Sequence, residues 1–327
     1  MSGELYFCDE LNETLTCYHD KITSCCSNPN GPIYFDKYDG SKVDFEILRQ
    51  KKLEFFSLFD EENIKNSPCY GCFSLRKRKP EDVINSKFKQ IHVSHWTHCN
   101  CGCIYCARMD DSHGKITYRK AKSEYYDMLP VVKQLYKKDL LDRENLIVCI
   151  QGGDISVLSE FEKLVKEFFK QGLLKFHFLS NNIIYQPIIK KLLDANKGTF
   201  CTSLDCASRD IYYKLKRVDK FDECVKNLRK YAKGHSHPPI TVKYIVIENV
   251  NDNIIEMKKF LDLVVYMGIK NVEFMLDNKY VFCDHSKVSI PKHYGNLYFF
   301  FKEYCEISGL KFVIWDKVES LINEYLL

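Results

Sequence analysis

The chain has 327 residues, of which 45% are hydrophobic, which allows one large domain with a smaller companion and excludes a disordered protein. Its formal net charge of +4, from 48 basic and 44 acidic residues, is a small surplus that argues against a nucleic acid as partner. The N-terminus lacks the features of a signal peptide and no apolar run approaches the roughly 20 residues of a membrane span, so we expect a cytoplasmic protein with no membrane partner.

The first 85 residues are rich in cysteine. Thiols of a cytosolic chain are better explained as metal ligands or buried thiols than as disulfides. The spacing Cys69-x-x-Cys72 brings two sulfurs to one tight turn, which is typical of a metal-ligand pair. Asp20-Lys21, followed by the short run 22–26, predicts a hairpin turn that leads into a strand. Six of the sixteen cysteines lie in this segment: Cys8, Cys17, Cys25, Cys26, Cys69 and Cys72.

From residue 86 onward, short apolar runs alternate with longer helical patterns. Strands are predicted at residues 90–96, 146–151, 175–180, 200–204, 241–247 and 271–275. Helices are predicted at residues 123–137, 160–171, 185–196, 222–232 and 253–267, and a strand at 311–314 with a helix at 317–325 is expected to cap the domain. Such alternation predicts parallel strands joined by crossovers. The expected fold is α/β, with a partial (β/α)6 TIM-like barrel over residues 86–327 and a small Cys-rich domain over residues 1–85.

A cysteine loop, residues 99–106, follows the first predicted barrel strand. Its pattern consists of three cysteines separated by three and two residues: Cys99, Cys103 and Cys106. Three thiolates on one loop can hold three irons of a [4Fe-4S] cluster and leave the fourth iron open to a small molecule. A structural zinc site is the alternative, with Cys101, His98 or His95 completing the ligand set. Barrels of this kind carry their chemistry at the carboxyl ends of the strands, where this loop is expected.

The cysteine loop, with the aromatic Tyr105 before its last cysteine, resembles the radical S-adenosylmethionine (radical SAM) superfamily. The resemblance covers roughly residues 86–280. Gly152-Gly153-Asp154 resembles the family's Gly-Gly-Glu motif, which takes the ammonium of the methionine portion through backbone carbonyls and a carboxylate. An ordinary strand-to-helix turn explains the same residues. Ser180-Asn181-Asn182 resembles a Thr-Asn-Gly motif that places polar groups near the ribose.

Two later segments also resemble the family. Ser203-Leu204-Asp205 and the helix after it imply that Ser203 lines the barrel, and that Lys216 replaces an arginine that approaches the methionine carboxylate. Favourable cations at a helix end explain Lys216 equally well. Ile247, at the end of the fifth strand, is then placed to pack against adenine. The residues that the resemblance implies for binding S-adenosylmethionine are Tyr105, Gly152, Gly153, Asp154, Ser180, Asn182, Ser203, Lys216 and Ile247.

The N-terminal cysteines resemble the SPASM and Twitch domains, which bind an auxiliary [4Fe-4S] cluster through a cysteine, a second cysteine after a hairpin turn and a later Cys-x-x-Cys. Cys25 in place of Cys26, Cys17 in place of Cys8, and a zinc ribbon in place of the cluster all remain open. These domains normally follow the barrel, whereas here the cysteines precede it. The ligands implied by the resemblance are Cys8, Cys26, Cys69 and Cys72.

The resemblance implies an enzyme that reductively cleaves S-adenosylmethionine at its [4Fe-4S] cluster to a 5'-deoxyadenosyl radical, which abstracts a hydrogen atom from a substrate. The implied electron donor is a flavodoxin or a ferredoxin. Peptide modification of the kind that matures ribosomally made peptides is the expected reaction, and oxidation of a sugar or aminocyclitol is the alternative. A non-catalytic iron-sulfur or zinc scaffold is the alternative from another class.

Overall fold

The computed structural model describes residues 5–18, 21–24, 34–35, 43–57, 63–66, 69, 75–78, 87–106, 126–172, 175–281 and 289–326. Its strands are β1 (Leu5–Cys8), β2 (Thr14–Tyr18), β3 (Ile22–Thr23), β4 (Tyr34–Phe35), β5 (Leu75–Arg78), β6 (Gln90–Ser94), β7 (Ile147–Ile150), β8 (Lys175–Leu179), β9 (Gly198–Ser203), β10 (Ile240–Val246), β11 (Asn271–Leu276) and β12 (Lys311–Ile314). Its helices are α1 (Asp9–Glu13), α2 (Phe45–Ser57), α3 (Leu129–Lys137), α4 (Phe161–Lys170), α5 (Pro187–Asp194), α6 (Arg209–Lys216), α7 (Phe221–Ala232), α8 (Ile254–Tyr266), α9 (Asn278–Val281), α10 (His293–Ser308) and α11 (Asp316–Leu326).

The chain forms two compact units, each made of several segments. The first unit comprises Met1–His98, Ser123–Gly153 and Leu158–His177, and the second comprises Cys99–Lys122, Asp154–Val157 and Phe178–Leu327. These units differ from the division predicted at residue 85. The first unit joins the N-terminal segment to the first barrel strands, because β2 pairs directly with β6.

The first unit contains a sheet in which β6 lies between β2 and β7. Both pairings are parallel, with Leu15 opposite Ile91 and Ile91 opposite Val148. These three side chains are completely buried, as expected for parallel strands covered on both faces. Strands β2 and β3 are antiparallel, as the two strands of a hairpin would be, and the Tyr18 amide donates to the Lys21 carbonyl at 2.8 Å. Strands β1 and β5 form a separate antiparallel pair.

The second unit contains the parallel strands β9, β10, β11 and β12, in that order. Burial alternates along β10: Val242 and Tyr244 are fully buried, whereas Lys243 between them is partly exposed. The Tyr244 ring lies 4.9 Å from the ring of Phe260 in α8 and 6.3 Å from that of Phe301 in α10. Helices α8 and α10 therefore cover one face of these strands, and Lys243 lies on the other face.

The alternation of strands and helices from residue 86 onward confirms the predicted α/β class and its parallel strands. Helix α10 was not expected, because its many aromatic residues give no clear separation of polar and apolar faces. Among the helices of the described ranges, none is both long and apolar enough to cross a membrane.

Candidate active site

The cysteine loop is attached by its backbone to the end of helix α6. The Gly102 amide donates to the Lys216 carbonyl at 2.9 Å, and the Ile104 amide donates to the Leu215 carbonyl at 3.0 Å. These carbonyls belong to the last turn of the helix, where they have no partner within the helix itself. The loop thus satisfies the helix end, and the helix end in turn holds the loop in place.

The thiols of the cysteine loop are all partly buried. The Cys101 amide donates to Cys99 Sγ at 3.4 Å, and hydrogen bonding by the Cys101 thiol acts on the pKa of its neighbours Cys99 and Cys103. The bond from Cys101 lowers the pKa of Cys99 and, with the ammonium of Lys216 also contributing, lowers the pKa of Cys103 to about 7. Because the thiolate is the form that binds metal, these environments favour metal binding by Cys99 and Cys103.

The donor set therefore fits an iron-sulfur cluster by its chemistry: three cysteines on one partly buried loop, two of them with a lowered thiol pKa. Within the described ranges, no group of three or more His, Cys, Asp or Glu side chains is arranged around one point as a metal site would be. Cys101, which the sequence offered as a ligand of a zinc site, lies beside Cys99 and Cys103. His95 is fully buried in the first unit, with Nε2 2.5 Å from Glu160 Oε1, and this contact occupies one of its two ring nitrogens.

A buried charge network underlies the loop. Lys216 Nζ lies 2.6 Å from Asp205 Oδ2, and the two side chains are only 2% and 0% exposed. The Tyr105 hydroxyl donates to the same carboxylate oxygen, and Lys216 also donates to the Tyr105 oxygen. Burial by itself would lower the pKa of Lys216, but the charges of Asp205 and Cys103 outweigh it and raise that pKa, which keeps the ammonium protonated.

Further hydrogen bonds hold Asp205 in position. Its backbone has a positive φ of 64°, its second carboxylate oxygen accepts from the Ile245 amide at 2.9 Å, and its carbonyl accepts from Asn251 Nδ2 at 2.8 Å. The Asn251 side-chain oxygen accepts from the amide of Ile247 at 2.7 Å. Asn251 is completely buried, so it acts as a bridge between the ends of β9 and β10. Ile247 is itself 5% exposed.

Asp154 organises a second set of polar residues. Its carboxylate accepts from the Ser156 amide at 2.9 Å, from Ser180 Oγ at 3.0 Å and from the Asn181 amide at 2.6 Å. Asn181 Nδ2 donates to Asn100 Oδ1 at 2.5 Å and lies 3.5 Å from Cys99 Sγ. The carboxylate that the resemblance assigns to the cofactor's ammonium is thus engaged by this chain's own donors.

The residues of the Ser180-Asn181-Asn182 motif make contacts that differ from those predicted. Ser180 contacts Asp154, as just described, but Asn182 is 1% exposed and donates to the Cys224 carbonyl at 2.7 Å. Asn181, which was not selected from the sequence, is the residue that reaches the cysteine loop. Ser-Asn-Asn marks a turn but does not show which amide faces the loop, because both neighbours have the same side chain.

Gly152 and Gly153 pack closely against the backbone of Trp96 and His98 within the first unit. A Cβ on Gly153 would lie 1.9 Å from the His98 carbonyl oxygen, and one on Gly152 would lie 3.1 Å from the Trp96 carbonyl oxygen. Gly152 also has a φ of +138°, which other residues rarely adopt. The glycines are therefore required for close approach of two backbone segments.

Of the described N-terminal cysteines, Cys8 and Cys17 are buried in the first unit. Cys8 Sγ accepts from the Leu11 amide at 3.4 Å and caps helix α1. Burial raises the pKa of the Cys17 thiol to about 12. Cys69 is partly buried. Cys25, Cys26 and Cys72 lie outside the described residues, and the predicted auxiliary ligand set remains a prediction.

A family model for the Radical SAM superfamily matches residues 93–261. The chain is 22% identical over 197 residues to the molybdenum cofactor biosynthesis protein moc-5 of Caenorhabditis elegans, covering 59% of this chain and 31% of that protein. It is 23% identical over 199 residues to the GTP 3',8-cyclase of Thermodesulfovibrio yellowstonii, covering 60% of this chain and 59% of that protein. The chain thus spans less than two thirds of the length of these relatives.

Among solved structures, that of Streptococcus suis SuiB bound to the precursor peptide SuiA is similar to this chain. The TM-score is 0.52 at 12% sequence identity, covering 86% of this chain and 57% of that chain. At this level of identity the similarity concerns the fold, and it confirms the predicted α/β class with a partial barrel.

Proposed function

The chain belongs to the radical SAM superfamily and is an enzyme with a [4Fe-4S] cluster and S-adenosylmethionine as cofactors; on this basis we propose that it modifies a peptide. Cys99, Cys103 and Cys106 would hold the cluster. Bound there, the cluster and S-adenosylmethionine supply a radical able to remove hydrogen from an unactivated carbon. Membership of this family argues against the alternative of a non-catalytic scaffold.

The observation that supports a cluster bound at Cys99, Cys103 and Cys106 is the way the cysteine loop is held. Two backbone bonds attach it to the end of α6, and Tyr105 binds the buried pair of Asp205 and Lys216. Asn181, oriented by Asp154, contacts the start of the loop. These residues preorganise the loop, and burial of the network excludes water from beneath it.

The remaining cofactor residues of the sequence prediction stay proposals. Ser203 is partly exposed at the end of β9, where it can contact a ligand of the loop. Ile247 offers a buried apolar surface at the end of β10. Asp154 and Lys216 would act on the cofactor only if their present hydrogen bonds were exchanged, so we propose that both mainly position the loop. A second cluster in the first 85 residues, and a flavodoxin or ferredoxin as electron donor, are part of the same proposal.

A peptide is favoured as substrate by the similarity to SuiB, whose solved complex contains a precursor peptide. Cyclisation of a nucleotide is a second candidate, because curated relatives at 22% to 23% identity include a GTP 3',8-cyclase. A sugar or aminocyclitol is the remaining alternative.

The test is cofactor cleavage by anaerobically reconstituted protein. With dithionite and S-adenosylmethionine, the wild type should form 5'-deoxyadenosine, measured by liquid chromatography and mass spectrometry. Cys103→Ala should abolish it, whereas Cys305→Ala, which removes a buried thiol of α10 outside the cysteine loop, should retain it. Peptides encoded near the gene and MgGTP are then compared as substrates. An iron-loaded wild type that forms no 5'-deoxyadenosine would contradict the proposed activity.

A further inference from the structure

One face of the strands in the second unit carries an ion pair that the proposed cofactor site does not use. Lys243 of β10 lies directly opposite Ser203 of β9 and Glu273 of β11. The neighbouring residues Tyr244 and Phe274 point to the opposite face, where they pack against α8 and α10. Since side chains alternate along a strand, Lys243 and Glu273 lie on the face turned away from those helices.

We call this the open face and define it by Ser203, Lys243, Ile245, Glu273 and Trp315. Lys243 Nζ is 3.0 Å from Glu273 Oε1, and the side chains are 13% and 6% exposed. The same ammonium lies 5.1 Å from the ring centre of Trp315, which is 43% exposed. The open face thus combines a largely buried ion pair with an aromatic ring accessible to a ligand.

Stability is a poor explanation for this pair. The free energy lost by desolvating two charges is about as large as the free energy gained from their attraction. Apolar residues of similar size often stabilise a fold equally well at such positions. Strands β10 and β11 offer such residues at every alternate position on the other face, for example Val242 and Val272. A retained charge beside an exposed ring is better explained by recognition of a ligand.

We propose that Lys243 binds a carboxylate of an acidic peptide substrate, with Trp315 packing against the neighbouring apolar part of that peptide; this rests on the proposed function. An ammonium has three N–H donors, and Glu273 accepts at most part of them, so Lys243 retains donors for a ligand. Lys243 is the more exposed member of the pair. Glu273 lies deeper, and the Cys201 thiol is 3.9 Å from its other oxygen.

The charge balance of the open face selects a monoanion. Glu273 offsets the charge of Lys243 at 3.0 Å, whereas the charge of Asp205 is already paired with Lys216. A group with two or more negative charges, such as a phosphate, would be repelled by Glu273 more strongly than a carboxylate would. The open face therefore favours an acidic peptide over a nucleoside triphosphate.

Hydrogen bonds of Asp205 connect the open face to the cysteine loop. The Asp205 amide donates to the Lys243 carbonyl at 3.2 Å, and the Asp205 carboxylate binds Tyr105 of the loop. A substrate held at Lys243 would therefore lie along the strand that leads toward the residues holding the loop.

The test is affinity selection from three pools of capped hexapeptides. The pools carry Glu, Gln or phosphoserine at one central position and random residues elsewhere, and retention on iron-loaded protein is measured by mass spectrometry. The wild type should retain the Glu pool about tenfold more than the Gln pool, because a charge-assisted bond is lost with Gln. It should also retain the Glu pool more than the phosphoserine pool.

The variant Lys243→Met/Glu273→Gln should lose the preference for Glu, and it avoids leaving Glu273 buried without its ion pair. Lys259→Met, an exposed lysine on α8, should keep the preference. Equal retention of the Glu and Gln pools by the wild type, highest retention of the phosphoserine pool, or an unchanged preference in the double variant would overturn the proposal. If the same preparations still form 5'-deoxyadenosine, the proposed function stands while the substrate subsite fails.

Discussion

Replacing Lys216 by Met tests how the cysteine loop is held. Methionine keeps an unbranched apolar chain of similar length but removes the ammonium that lies 2.6 Å from Asp205 Oδ2. Asp205 would then remain buried with only neutral donors, from Tyr105 and the Ile245 amide. Removing one partner of a buried ion pair costs about 3 to 5 kcal/mol of unfolding free energy.

The double variant Lys216→Met/Asp205→Asn should lose less, because no uncompensated charge is then buried. Lys214→Met, an exposed lysine on the same helix, should change the unfolding free energy by less than about 0.5 kcal/mol.

Urea unfolding of metal-free protein under anaerobic conditions measures these free energies. Hydrogen exchange of the Gly102 and Ile104 amides reports the loop directly, since both donate to carbonyls at the end of α6. In Lys216→Met both amides should exchange faster, and iron loading should fall without any S-adenosylmethionine present. A loss under about 1 kcal/mol with unchanged exchange and loading would refute this reasoning. Weakened S-adenosylmethionine binding alone would instead assign Lys216 to the cofactor's carboxylate, as the sequence resemblance implies.

Burial lowers the pKa of Lys52 to about 7, below its usual 10.5. Between these two pH values the unfolded chain therefore binds more protons than the folded chain. The unfolding free energy of the wild type, measured with urea, should rise with pH relative to that of Lys52→Met by at most about 1.4 kcal/mol per pH unit. A difference between the two proteins that does not change with pH would contradict this. Gly153→Ala should cost about 3 kcal/mol or more, measured by urea unfolding, because its Cβ would lie 1.9 Å from a backbone carbonyl oxygen. Gly198→Ala, whose closest contact is a side chain at 3.3 Å, should cost clearly less, and equal losses would refute the steric reason. With a second cluster present, Cys69→Ser should lower the iron content from about eight to about four atoms per chain, while replacing the buried Cys305 by Ser should leave it unchanged. Iron analysis measures both variants. Equal iron contents in the two variants would exclude Cys69 as a ligand.

The fold was largely predictable because apolar periodicity is local. The strand predicted at residues 241–247 showed its alternation within a few residues, and the structure places β10 (Ile240–Val246) there. Elements without such a period were missed, as the aromatic-rich α10 shows. The parallel pairing of β2 with β6 was also missed, because it joins segments about 75 residues apart and no local pattern records a partner at that distance.

The sequence by itself determined the chemistry: the spacing of Cys99, Cys103 and Cys106 and the order of the motifs after them indicate the family that the comparison confirms. Only the tertiary structure decided what each polar residue contacts. It joined Tyr105 to Asp205 across 100 positions of the chain and paired Lys243 with Glu273. The physical reason is that a residue type limits which bonds a side chain can form, whereas the partner that is present depends on how distant strands are brought side by side.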